Sequence, residues 1–111
     1  MPPLFAVEVV PRSRTVVVVA SGEVDMESAP ALSDAVDEAL THSRHLVMDL
    51  SAVTFLASCG LGVLATAANL VGNTGSVTVR NPIRSVHRVL EISGLINQLI
   101  ILTEMGTARP A

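Results

Sequence analysis

The run from Phe5 to Val10 alternates weakly between apolar and polar positions and is rich in valine, which predicts a strand. Pro11-Arg12-Ser13-Arg14 interrupts it as a turn, being polar and led by a residue that cannot donate to a ladder. Thr15 to Ala20 is a β-branched run, the pattern of a strand buried on both faces, so the two strands form an opening hairpin. Gly22-Glu23-Val24-Asp25 ends the second strand. After Ser28, the residues Leu32, Val36, Ala39 and Leu40 fall on one helical face and Asp34, Asp37 and Glu38 on the other. Pro30 suits the first turn of that helix, where a missing N–H costs nothing. His45 to Leu50 reads as a third strand, and Ser51 to Leu56 carries the chain on to Ala57-Ser58-Cys59-Gly60.

From Gly60 to about Val71, apolar residues Leu61, Leu64, Ala65, Ala68 and Val71 recur at helical spacing. Gly72-Asn73-Thr74-Gly75 closes that helix. Ser76 to Arg80 predicts a fourth strand. Pro82 starts a helix with Val86, Val89 and Leu90 inside, Gly94 ends it, and Leu99 to Leu102 is a last strand. The expected order is therefore β-β-α-β-α-β-α-β. This is a single α/β domain over residues 1–111, with a mostly parallel mixed sheet, helices packed on it, and 104–111 as a loose polar tail. In such sheets function gathers where loops leave the carboxyl ends of strands. Two segments fall there, Gly22 to Ser28 and Ala57 to Gly62.

Composition narrows the function. The 111 residues are half hydrophobic, enough for one core and too few for two. The net charge is -3 with seven basic residues, and two Phe are the only aromatics. Nucleic acid and anionic membrane both call for clustered positive charge, and base stacking calls for aromatic platforms. Cys59 is the single cysteine, so no internal disulfide forms. Met1-Pro2-Pro3-Leu4-Phe5 lacks the pattern of a secretion signal, and no apolar run reaches the ~18 residues of a membrane span. A soluble, cytoplasmic protein without a cofactor is expected. His42, His45 and His87 lack metal-ligand spacing, and solvated or packed imidazole is the expectation for each. Arg84 and Arg88 share a helical face, for which a solvated role is expected over a contact with acidic groups on a partner.

Asp49-Leu50-Ser51-Ala52-Val53-Thr54-Phe55-Leu56-Ala57-Ser58-Cys59-Gly60-Leu61-Gly62 is the most informative stretch. Ser58 falls where a helix begins, among unpaired N–H groups and a partial positive charge. One reading makes it an ordinary N-cap. The other makes it a phosphoacceptor: the helix start tolerates an anion, while the phosphoryl group adds about -1.5 to -2 charges to the surrounding surface.

This stretch resembles the signature of the STAS domain family, the sulphate-transporter and anti-sigma-factor-antagonist domains, whose anti-anti-sigma branch reads Asp-Leu-Ser-x-Val-x-Phe-hydrophobic-Asp-Ser-Ser/Thr-Gly-Leu-Gly-Val-Leu. Asp49 to Leu64 follows that run with two departures, Ala57 and Cys59. Gly22-Glu23-Val24-Asp25 with Ala29-Pro30 and Leu32, and Gly94-Leu95, resemble further family elements. The resemblance implies a protein that binds an anti-sigma factor, itself a serine kinase of the histidine-kinase-like ATPase type, and so frees a sigma factor. It implies phosphorylation of Ser58 by that kinase as the off switch and a serine phosphatase that reverses it. ATP belongs to the partner, because Gly60-Leu61-Gly62 lacks the Lys and spacing of a phosphate loop. The protein itself is expected to be a monomer or weak dimer.

The resemblance also implies partner contacts at Asp25, Ser58, Cys59, Gly60, Leu61 and Gly62. Asp25 has an alternative as a turn or cap residue, Leu61 as helix core, and Asp49 as a residue bonding the following backbone. Cys59 is either a packed small residue or an oxidisable thiol near a helix start. Ala57 removes a carboxylate beside the acceptor without removing the hydroxyl. Two other functions stand beside the switch. One is a STAS-type scaffold or sensor that binds another regulator or a small ligand without phosphorylation. The other is an enzyme with Ser58 or Cys59 as nucleophile, which lacks any motif for a base and an orienting acid.

Overall fold

The computed structural model describes residues 5–103 and the backbone of residues 106–108. Strands β1 (Phe5–Pro11) and β2 (Val16–Val24) form the antiparallel hairpin, followed by α1 (Ala29–Leu40), β3 (His45–Leu56) and α2 (Ser58–Val71). Then come β4 (Ser76–Arg80), α3 (Arg84–Ile92), β5 (Ile100–Thr103) and β6 (Gly106–Ala108). One sheet carries all six strands in chain order, parallel from β2 to β5 and antiparallel at each edge. The expected order is present, extended by β6. That strand pairs with β5 inside the segment expected to be a loose tail. Residues 104, 105 and 109–111 of that tail lie outside the described residues.

Crossovers that always step to the next strand in one direction place their helices on one face. Val16, Val18, Ala20, Leu46, Met48, Leu50, Val77, Val79 and Ile101 point to that face. They share one core with Leu32, Val36, Leu64, Val86 and Leu90 from the three helices. Among the described residues no helix covers the other face. There Val17 is buried by its neighbours but Val19 and Val47 are only half-buried. The β-branched run of β2 therefore reflects one helix-covered face and one open face, not burial on both.

Pro30 stands in the first turn of α1, as its fixed backbone angle favours. Val89 is half-buried rather than fully inside α3, and that helix begins at Arg84, two residues after Pro82. A tight approach fixes the turn after α2: a Cβ on Gly75 would lie 1.9 Å from the Arg44 carbonyl oxygen. Only glycine permits that contact.

Candidate docking site around Ser58

The site grows from an irregularity in β3. β3 and β2 run in step through Val19↔Asp49, then pair Ser21↔Ala52, Gly22↔Val53 and Glu23↔Phe55. β3 thus holds one extra residue before Ala52 and another before Phe55. An extra residue turns every later side chain to the opposite face. Inward positions accordingly change from Leu46, Met48 and Leu50 to Val53 and Leu56, and Phe55 is turned outward at 51% exposure. Asp49 holds the first irregularity: its Oδ1 accepts Ser51 N–H at 3.1 Å and Ser51 O–H at 2.7 Å. Its Oδ2 accepts Arg80 at 2.8 Å. Burial raises the Asp49 pKa, but the hydrogen bonds from Arg80 and Ser51 and the Arg80 charge outweigh it, leaving the carboxyl below its ordinary 3.8. Asp49 thus bonds the backbone and side chain that follow it in β3 and pairs with Arg80 on β4.

β2 and β3 extend together to Val24 and Leu56, farther than their apolar runs suggest. Val24 C=O accepts Ala57 N–H at 2.8 Å, which joins the two loops at the carboxyl ends of these strands. Helix α2 then starts at Ser58, not Gly60. Ala57, in extended backbone at φ -77° and ψ 170°, occupies the cap position and has no side chain that can cap. Ser58 is the first helical residue rather than the cap. Its side chain is exposed, and among the described residues its hydroxyl has no hydrogen-bond partner. Ala57 C=O accepts N–H from Gly60 at 2.9 Å and Leu61 at 3.1 Å, so the first two N–H groups of α2 are open.

The neighbouring β2–α1 turn is built oppositely. Asp25 Oδ1 accepts N–H from Glu27 and Ser28, each at 3.0 Å, and the Ser28 hydroxyl at 3.1 Å. Ser28 Oγ accepts Asp25 N–H at 2.9 Å and lies 2.8 Å from Glu23 C=O, to which it donates. The backbone and side-chain hydrogen bonds from Ser28 hold the Asp25 carboxyl below its ordinary 3.8. Asp25 therefore shapes the turn. The turn projects Met26 into solvent at 84% exposure.

The expected partner-contact residues divide by direction. Ser58 and Gly62 are exposed, while Asp25, Cys59 and Leu61 are half-buried. Gly60 is buried, and a Cβ there would lie 2.5 Å from Leu56 Cδ1 and 2.7 Å from Val24 Cγ1. Gly60 seats the helix on the strand ends; at Gly62 a Cβ would meet nothing within 4 Å. Cys59, Gly62, Val63 and Leu70 line a groove of about 270 Å³ against Ser33, Val36 and Asp37 of α1. A second groove between α2 and the segment after α3 is lined by Leu61, Gly62 and Ala65. Met26 and Phe55 escaped the sequence reading, because apolar type alone points inward. The shifts in strand register that expose Phe55 leave no local mark.

His45 Nδ1 lies 3.0 Å from Ser76 Oγ, and His87 Nδ1 lies 3.5 Å from Glu91. Among the described residues no group of three or more His, Cys, Asp and Glu side chains could hold a metal ion. Among them also, no helix is long and apolar enough to cross a membrane.

The family profile described as "Mlab, STAS domain" matches residues 8–103. The chain belongs to the STAS domain family. Among its STAS relatives is the anti-sigma-F factor antagonist RsfB of Mycobacterium tuberculosis, 37% identical over 91 residues that cover 74% of each chain. The anti-sigma F factor antagonist of Paenibacillus polymyxa is 33% identical over 97 residues, 77% of this chain and 81% of that one. A crystal structure of an anti-sigma factor antagonist from Mycobacterium paratuberculosis superposes with a TM-score of 0.74 at 35% identity. It covers 87% of this chain and 84% of its own. The STAS signature runs from Asp49 through the irregular half of β3 into α2. In this structure the signature is the segment that builds the exposed face around Ser58.

Proposed function

We propose that this STAS domain is an anti-sigma factor antagonist: it binds an anti-sigma factor through the face around Ser58 and so frees a sigma factor for transcription. Two relatives above 30% identity carry that function in their names. Phosphorylation of Ser58 by the anti-sigma factor, acting as a serine kinase with its own ATP, is the off switch, and a serine phosphatase reverses it. The observation that carries this reading is the Ser58 hydroxyl, exposed at the first position of α2 and without a hydrogen-bond partner among the described residues. A structural serine at a helix start would cap it; here that position belongs to Ala57.

The physical effect follows from the surroundings. A phosphoryl group on Ser58 lies beside the open N–H groups of α2, so the domain itself accommodates it. A partner closed over the face must strip water from a group of about -1.5 to -2 charges, and that desolvation opposes docking. α2 carries no charged residue along its length, so nothing on it neutralises the added charge. Half-burial of Cys59 in the groove against α1 supports reading it as a packed residue.

A pull-down from the native cell followed by phosphosite mapping tests the proposal. Capture of an ATPase-type anti-sigma factor is expected, and incubation with that kinase and ATP should add one phosphate, about 80 Da, lost in Ser58→Ala. Capture without any modification of Ser58 would favour the second reading, an unphosphorylated scaffold or sensor. Ala57 is the observation that favours this alternative, since it removes the carboxylate that resemblance places beside the acceptor.

A further inference from the structure

We propose that Met26 and Phe55 are the apolar anchors with which this domain holds the anti-sigma factor, and that the partner meets them with an apolar cleft rimmed on one side by arginine or lysine. The proposal rests on the reading of the Ser58 face as the docking face. Met26 is 84% exposed and Phe55 51% exposed. Separate devices hold them out. The extra residue in β3 between Val53 and Phe55 rotates Phe55 to the surface. The Asp25–Ser28 hydrogen bonds fix the turn from which Met26 projects. Both flank Ser58. Phe55 precedes it by three residues, and Met26 follows Val24, whose carbonyl is bonded to Ala57 N–H.

Charge selects the occupant. Glu23 and Glu27 are exposed beside Met26, Asp25 is half-buried between them, and Glu23 is the cross-strand neighbour of Phe55. The ion pairs among the described residues are Arg80–Asp49 and His87–Glu91, so these three carboxylates have no cationic partner among the described residues. On the other side of Ser58, α2 is uncharged. A matching partner is therefore basic opposite the β2–α1 turn and apolar opposite α2. A phosphate on Ser58 enters on the uncharged side. Met and Phe are side chains that anchor interfaces when a ring of polar groups excludes water around them, and Met adapts to irregular clefts.

Surface-plasmon binding tests this with the purified anti-sigma-F factor of Mycobacterium tuberculosis as the defined probe and the anti-sigma factor from the native-cell pull-down as the cognate one. Met26→Ala and Phe55→Ala are each expected to weaken binding by about tenfold or more, mainly through faster dissociation. Glu23→Gln combined with Glu27→Gln is expected to slow association and flatten its dependence on salt. Ile92→Ala, 72% exposed at the far end of α3, is the control and should bind as wild type. All substituted side chains are exposed, and circular dichroism confirms that each variant is folded. If both Ala variants stay within about twofold of wild type, the anchors are wrong while the antagonist reading stands. If wild type binds neither probe, the antagonist reading falls and this proposal with it.

Discussion

The two loops that meet at Val24 and Ala57 are built on opposite plans. The β2–α1 turn is over-determined: three N–H groups donate to one carboxylate and one hydroxyl, the single Ser28 O–H proton is shared between Glu23 C=O and Asp25 Oδ1, and Ser28 is only 9% exposed. Among the described residues, the start of α2 has no side-chain cap, and its first two N–H groups and the Ser58 hydroxyl have no partner. Hydrogen bonds that are made in the folded chain stabilise it; groups left open at a surface are available to something else. The rigid turn sets a frame, and the under-satisfied helix start beside it is where charge can be added at small cost to the fold. Each of the following experiments acts on one side of that contrast.

Breaking the rigid side should have the largest effect. Ser28→Ala leaves Asp25 N–H and Glu23 C=O without their hydroxyl partner in a part-buried site. It should cost about 1–3 kcal/mol in urea unfolding. Gly60→Ala should cost a similar amount, about 1–3 kcal/mol, because its Cβ pushes into Leu56 and Val24. Gly62→Ala, two residues on, meets open space and should stabilise the helix by up to about 1 kcal/mol. Opposite signs at these two glycines would separate seating from surface; equal signs would show the assignment of Gly60 to be mistaken.

Repairing the under-satisfied side should help the fold. Ala57→Asp places a capping carboxylate on backbone already extended, and a gain of about 1 kcal/mol is expected, roughly 4 °C in Tm by calorimetry. No gain would mean that the open N–H groups are already well satisfied by water.

The smallest expected effect is the pH response of the rigid turn. Asp25 titrates below its ordinary 3.8 when folded, so the native state binds fewer protons than the unfolded chain there. Its contribution is fully present above that value and is lost as pH falls through the lower, folded pKa. Asp49 has the same sign. Urea midpoints of wild type should therefore fall below about pH 4, and those of Asp25→Asn should fall less steeply. Identical slopes would remove Asp25 from the frame.

Much of this architecture was legible in the chain. Apolar runs, valine-rich in β1 and β2, announced β1 to β5, and helical spacing announced α1 and α3 within two residues of their starts. The run from Asp49 to Leu64 marked the STAS family to which the chain belongs. The remainder depended on distant partners. β2 and β3 lengthen through Gly22, Ser51 and Ala52 because they pair with each other, not because those residues favour strands. Gly106–Ala108 likewise becomes a strand only by pairing with β5. α2 was placed two residues late because Ala57 carries no cap chemistry to announce its start. The outward turn of Phe55 follows from counting residues on both strands at once, which one strand's sequence cannot supply.

The most direct measurement is the affinity of the anti-sigma factor for the protein with phosphoserine installed at position 58, compared with the unmodified protein and Ser58→Ala by isothermal titration. Unmodified protein and Ser58→Ala should bind alike, with the phosphorylated form weaker by about tenfold or more, since a dianion must be desolvated in the contact. Equal affinity of the phosphorylated and unmodified forms would contradict the switch at Ser58.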